Sequence, residues 1–286
     1  LASPFWGDNL LDNGFDKIRR HNYTLFINKD FRNAELEQAL TAGEKKLREN
    51  YELTPVRTSV VSRVYKFSIH FGGVEKWFYF KQYLCRSAFD FIKHLVRSSR
   101  ARRAFEATLM LERNGFKAPV IVAMGECKFS FLERENFLLT VEVEEAKPIN
   151  QFIPDKLEDF TKEQLNDLRE LIRTFGRTVG RMHAAGIFHG DLRLGNVLVK
   201  REKDGWHFFL IDNERTRKFR RLSARLRLKN LVQANMLISD CITKTDRMRF
   251  FKAYLSLNPL IQNRRAVWAN KVVAKTSRRL SRKDWF

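Results

Sequence analysis

His189-Gly190-Asp191-Leu192-Arg193-Leu194-Gly195-Asn196 runs into the apolar triplet Val197-Leu198-Val199, a polar turn from Arg201 to Gly205, and a second apolar stretch, Trp206 to Ile211, ending at Asp212. Two apolar stretches around a short polar turn predict a β-hairpin. With the turn centred near Lys203, antiparallel pairing sets Asn196 opposite the region of Asp212, so an amide oxygen and a carboxylate converge at one end. Asp191 lies on the loop just before. Hard oxygen donors of this kind suit Mg²⁺ bound to phosphates, and a second carboxylate nearby can accept a hydroxyl proton.

Upstream of this motif, the stretch from Lys162 to Ala185 places Leu165, Leu168, Ile172, Phe175, Val179 and Met182 at alternating intervals of three and four. That spacing predicts a helix with one apolar stripe, which is read as core. Thr161 and Gln164 supply a capping box and Gly186 an end. Earlier, Tyr65, Phe67, Ile69 and Phe71 alternate with Lys66, Ser68 and His70, the period of a half-buried strand. Gly72-Gly73 closes a hairpin onto Trp77-Phe78-Tyr79-Phe80-Lys81-Gln82-Tyr83, where Lys81 shares a face with Trp77 and Tyr79. A basic helical stretch, Phe89 to Asn114, stops at Gly115, and Ala118 to Met124 and Phe137 to Val143 read as two further strands. Residues 1–55 offer a polar opening and one helix, Ala34 to Asn50, with no evident chemistry. Glu144 to Pro148 breaks the strand pattern, and the chain beyond it is mainly helical. The expected division is an extension (1–55) packing on an N-terminal lobe (56–143), then a C-terminal lobe (144–286).

The chain of 286 residues carries 54 Lys plus Arg against 33 Asp plus Glu, a net charge of +21. A field of that sign draws anionic partners: phosphate-bearing lipid, acidic saccharide or nucleic acid. Cys85, Cys127 and Cys241 are scattered and form no CxxC pair, which predicts neither a disulfide framework nor a zinc site. With no apolar run of transmembrane length and no signal-peptide pattern at the start, the reading is cytoplasmic.

His189, Asp191 and Asn196 match the protein-kinase-like pattern H-x-D-x-x-x-x-N, followed one hairpin later by a metal-binding Asp at 212. The pattern calls for an upstream five-stranded lobe with a lysine on its third strand, which Lys81 fits. It also calls for a glutamate on the next helix, where Glu106 and Glu112 are available and Glu106, lying mid-helix, is preferred. More closely, the stretch from about Val56 to Tyr254 resembles the lipopolysaccharide kinases, the Kdo and heptose kinases of the bacterial inner core. The residues that carry the likeness are HGDLRLGNVLV (189–199), FLIDNERTR (209–217), YFKQY (79–83), RAFEATLMLERNGFKAP (103–119) and RMRFFKAYL (247–255). The resemblance implies an α+β, protein-kinase-like bilobal fold, with a small antiparallel-sheet lobe carrying one main helix and a mostly helical second lobe. It implies an enzyme that uses ATP and Mg²⁺ to phosphorylate a sugar hydroxyl on lipid A-core (lipopolysaccharide), peripheral on the cytoplasmic face of the inner membrane. By the same resemblance Asp191 is the base, Asn196 and Asp212 hold Mg²⁺, Lys81 contacts the α and β phosphates, Glu106 fixes Lys81, and the main chain of Glu142 and Val143 meets adenine.

The departures from protein kinases are specific. Asp212-Asn213-Glu214 replaces Asp-Phe-Gly, no Ala-Pro-Glu comes after it, and no arginine precedes the base, so constitutive activity is expected. No G-x-G-x-x-G covers the phosphates; Arg57 to Arg63 stands in its place. Between Arg215 and Lys229, eight of fifteen residues are Lys or Arg. With Arg193, the residues Arg215 and Arg217 are the expected contacts for phosphates or carboxylates of the substrate. The basic run Arg264 to Lys283, with Val267, Trp268, Val272 and Val273 interspersed, is read as lying on the anionic inner-membrane surface. A small-molecule phosphotransferase of the aminoglycoside or choline kinase type shares HGDLxxxN, yet +21 disfavours a cationic acceptor. A catalytically silent binder of anionic lipid needs none of Lys81, Asp191, Asn196 and Asp212. No RNA-reading motif is present, so no nucleic acid partner is expected. His189 is read as a brace for the loop and His183 as packing.

Overall fold

A computed structural model describes residues 14–20, 23–59, 62–71, 73–84, 98–127, 136–153 and 161–281. Gly72, Cys85, the first residues of the expected helix at 89–97, residues 128–135 between the two further expected strands and residues 60–61 of the phosphate-covering segment lie outside them. Contacts divide the chain into two units, residues 1–106 with 119–144, and residues 107–118 with 145–286.

In the first unit, β1 (Phe15–Arg20) and β2 (Tyr23–Asn28) precede the helices α1 (Ala34–Ala42) and α2 (Glu44–Asn50). Strands β3 (Thr54–Ser59), β4 (Ser62–Phe71) and β5 (Val74–Tyr83) come next. Helix α3 (Arg100–Arg113) then leads to β6 (Ile121–Cys127) and β7 (Asn136–Val141), and the second half of α3 is counted with the other unit. The strands form one antiparallel sheet in the order β1-β2-β6-β7-β5-β4-β3. The alternation at 65–71 does what its period demands: Tyr65, Phe67 and Ile69 point inward, with Phe67 paired opposite Phe78 of β5. Leu36, Leu40 and Leu47 from α1 and α2 join Leu25, Ile27, Phe67, Phe78 and Leu139 in one core. On the other face of β2, Phe26 and Phe15 meet Phe105 of α3, ring centroids 6.0 and 5.0 Å away.

Three expectations change here. The polar opening contains two strands, β1 and β2, and β2 pairs with β6 inside the sheet. The single helix at 34–50 is two, broken at Gly43, whose φ of 93° a helix cannot continue. The basic helix begins, among the described residues, at Arg100.

The second unit has β8 (Lys147–Pro148), the short α4 (Ile149–Phe152) and the long α5 (Lys162–Ala184). The strands β9 (Ile187–Phe188), β10 (Val197–Glu202), β11 (Gly205–Leu210) and β12 (Arg217–Lys218) come after them. The helices α6 (Ala224–Ala234), α7 (Lys244–Leu255), α8 (Pro259–Gln262) and α9 (Arg265–Leu280) complete it. Among the described residues no helix is long and apolar enough to cross a membrane.

The apolar stripe of α5 is buried from Leu168 to Met182, and both bonds of the capping box at Thr161 and Gln164 are present. Helix α7 packs along α5 where glycines admit it closely. A Cβ at Gly176 would stand 2.5 Å from the Phe250 carbonyl oxygen, and one at Gly180 3.1 Å from that of Tyr254. Beneath this crossing His183 is fully buried, its Nδ1 3.0 Å from the Tyr254 hydroxyl and its Nε2 3.1 Å from Asn230 Oδ1. The Asn230 oxygen only accepts, so Nε2 carries the proton and Nδ1 accepts from Tyr254. Burial pushes the His183 pKa down to about 3.

Both features bear on stability. In Gly176→Ala the helix-propensity gain of about 1 kcal/mol is outweighed by a clash with backbone costing roughly 1–3 kcal/mol, so chemical denaturation should give a net loss. His183 binds a proton in the unfolded chain below about pH 6.5 but in the fold only near 3, so stability falls as pH drops through that window. His183 alone contributes about 1.4 kcal/mol per pH unit there; melting temperatures from pH 7 to 5 should decline, less steeply in His183→Gln.

Candidate active site

The segment from His189 to Asn196 forms a loop between β9 and β10, in the second unit. The hairpin after it has the anticipated register, with Val197 opposite Leu210 and Glu202 opposite Gly205. Pairing continues one residue beyond the hairpin, as the Ile211 amide donates to the Asn196 carbonyl at 3.1 Å. The loop is close-fitting. A Cβ at Gly190 would fall 2.1 Å from Arg215 Cβ, so only glycine fits where the loop crosses the chain after Asp212. β9 pairs with β12, Phe188 opposite Arg217, and ties the same two segments together.

The loop backbone is held by side chains of α6. Asn230 accepts from the His189 amide at 3.2 Å and donates to the His189 carbonyl at 2.6 Å, pairing that peptide as a strand would. Gln233, one turn on, accepts from the Leu192 amide at 3.3 Å and from Asn230 Nδ2 at 2.9 Å. Its Nε2 donates to Asp191 Oδ1 at 3.1 Å. His189 is fully buried and its Nδ1 accepts from the Asp191 amide at 3.2 Å. Burial holds its pKa down, against the opposing pull of the Asp212 and Asp191 charges. A neutral imidazole with one nitrogen spent on the loop is a brace.

Asp191 has both carboxylate oxygens engaged by Arg193. Nε lies 2.8 Å from Oδ1 and 3.0 Å from Oδ2, and Nη2 bonds Oδ2. This pair raises the Arg193 pKa further, while the guanidinium stays half exposed. Asn196 is buried and donates from Nδ2 to the Asp191 carbonyl at 2.9 Å, which turns its Oδ1 away as an acceptor. Asp212 sits in the left-handed region at φ 62°, ψ 46°, uncommon for a residue with a side chain. Such strain collects at functional sites. An amide oxygen and a carboxylate flanking the end of one hairpin form a hard-oxygen donor set of the kind Mg²⁺ takes. Asn213, where protein kinases carry phenylalanine, is buried and donates to Thr108 Oγ1 at 3.1 Å and to the Leu210 carbonyl at 3.0 Å. Arg215 is exposed beside Glu214, 3.5 Å away, and Arg217 is exposed on β12.

In the first unit, Lys81 lies half-buried on β5, its Nζ 5.1 Å from the Tyr83 ring. Glu106 stands mid-way along α3; burial raises its pKa, Arg102 and Arg103 lower it and Glu126 raises it. Arg102 is itself bound to Glu126 at 2.6 Å. The Glu142 amide donates to the Trp77 carbonyl at 2.8 Å, and its carboxylate accepts from Lys66 at 2.8 Å and Tyr79 at 3.3 Å.

Asn230, Gln233 and Thr108 are the functional neighbours that sequence reading passed over. Asn230 and Gln233 stand in a stretch of the sequence that reads as basic, and it is the fold that turns them inward, where buried amides require partners.

A model of the Lipopolysaccharide kinase (Kdo/WaaP) family matches residues 50–254. The chain is similar to the lipopolysaccharide core heptose(I) kinase WaaP of Pseudomonas aeruginosa, 27% identical over 159 residues, which are 54% of this chain and 59% of that protein. It is similar also to the EKC/KEOPS complex subunit Tp53rkb of Mus musculus, 30% identical over 119 residues, 41% of this chain and 45% of that one. The matched region thus spans about three-fifths of the first relative and under half of the second. In fold, it resembles the solved structure of WaaP in complex with acyl carrier protein, with a TM-score of 0.61 at 20% identity over 86% of this chain and 96% of that one. The chain belongs to the lipopolysaccharide kinase (Kdo/WaaP) family, within the protein-kinase-like superfamily.

Proposed function

We propose that the protein is an ATP-dependent kinase that phosphorylates a sugar hydroxyl, on Kdo or heptose, of the lipopolysaccharide inner core. The observation that carries this reading is the Asp191 carboxylate, fixed by Gln233 and Arg193 in a loop that ends at Asn196, beside the hairpin whose second strand leads to Asp212. Asp191 orients the acceptor hydroxyl and takes its proton. Arg193, charged and half exposed, releases that carboxylate as its guanidinium turns to a phosphate. Mg²⁺ held by Asn196 and Asp212 would offset the charge on the phosphate oxygens of ATP. Lys81 holds the α and β phosphates and Glu106 orients Lys81. Because the Glu142 amide is committed to Trp77, adenine recognition falls to the Glu142 carbonyl and to Val143. Arg215 and Arg217 face the anionic groups of the core sugar's neighbours.

The test is mass spectrometry of lipid A-core from cells with and without the protein, complemented by wild type or Asp191→Ala. One phosphate-sized increment should vanish with the protein and return only with wild type; in vitro, Asp191→Ala should lower the rate by about 10²-fold to 10⁴-fold. An unchanged core removes the substrate assignment. Gln233→Glu sets a second carboxylate beside Asp191 Oδ1, which raises the Asp191 pKa. The acid limb of its pH–rate profile should move to higher pH, and kcat should fall about tenfold with little change in KM for ATP.

A further inference from the structure

The 69 residues from Arg215 to Lys283 hold 20 Lys or Arg and two acidic residues, Asp240 and Asp246. That surplus of 18 is most of the chain's +21. Asp246 is spent on the capping box of α7 and on Arg249, 2.5 Å away. Helices α6 and α9 pack side by side, and their outer faces enclose a groove of about 710 Å³. Arg225 and Lys229 rim it from α6, while Lys275, Arg278 and Arg279 rim it from α9. Spacings of four, and of three and four, bring all five to the same side of their helices. All five are exposed, and among the described residues none has a carboxylate at ion-pair distance. Leu226, Leu228 and the buried Val232 form the floor.

Five like charges around one groove repel one another, and an anion seated among them removes that cost. A solvated charged face would spread its cations outward; here two helices converge theirs over an apolar floor. An amphiphile satisfies both parts, with its phosphate at the rim and its glycerol and first methylenes on the leucines and Val232. Among the described residues no aromatic ring lines the groove, the Phe188 ring under Lys229 being buried, so a nucleic acid base finds no exposed ring there to stack on. We propose that this groove docks the protein on the headgroup phosphates of an anionic phospholipid bilayer. The proposal rests on the charge and shape of α6 and α9 and stands whether or not Asp191 is the base.

The experiment is co-sedimentation of the full chain with phosphatidylcholine vesicles, with and without phosphatidylglycerol. Three proteins are compared: wild type, Lys275→Glu/Arg278→Glu/Arg279→Glu, and a control with the same charge change away from the groove, Lys45→Glu/Lys162→Glu/Lys203→Glu. All the changed residues are exposed, and thermal unfolding checks that each variant folds. Wild type should bind only the vesicles containing phosphatidylglycerol, the groove variant should bind on the order of a hundredfold more weakly, and the control should stay within a few-fold of wild type. Equal losses in groove variant and control would reduce the effect to net charge and overturn the site. So would a groove variant that binds as wild type does, a wild type indifferent to phosphatidylglycerol, or a groove that holds a single-stranded RNA in preference to the vesicles.

Discussion

A single primary amide organises the loop that carries Asp191. Between β9 and β10 the chain is too sharply turned to pair with a strand, yet the His189 peptide is buried and needs both a donor and an acceptor. Asn230 supplies both from 41 residues away. A buried peptide group left without partners costs about 1–3 kcal/mol, so the loop's conformation is tied to the seating of α6. That seating is fixed in turn by His183, which bonds Asn230 and Tyr254 at once and connects α5, α6 and α7. The glycines that let α7 approach α5 therefore bear on a carboxylate they do not touch.

The electrostatics of the loop are local. Arg193 lies two residues from Asp191 and forks onto its carboxylate, while Gln233 holds the same carboxylate from the opposite side without adding charge. A neutral donor and a cation thus aim one carboxylate from two sides. At 213, an amide bound to Thr108 and to the hairpin stands where protein kinases carry a phenylalanine, so Asp212 is followed by a fixed hydrogen-bonded post.

What could be read from the sequence was what local periodicity writes. The hairpin register, the β4–β5 pair and the stripe and caps of α5 each depend on neighbours within a few residues, and each stands where its pattern put it. β2 escaped because it is buried on both faces: Leu25 and Ile27 face α1 and α2 while Phe26 faces Phe105, so no alternation marks it. The break at Gly43 was hidden inside a stretch of strong helix formers. Asn230 and Gln233 were illegible for a different reason. Their stretch was counted for its cations, and partners 41 to 43 residues away leave no local trace.

Helix α6 carries two loads along eleven residues. Its outward side bears Arg225 and Lys229, and its inward side bears Asn230 and Gln233, with Lys229 and Asn230 adjacent in the chain. A rigid rod transmits restraint in both directions. An anion seated on the outer side would restrain the helix that carries the inner amides, and by linkage an ordered loop would favour that anion by the same free energy. The cationic rim and the amides that hold the Asp191 loop are thus separated by the thickness of one helix.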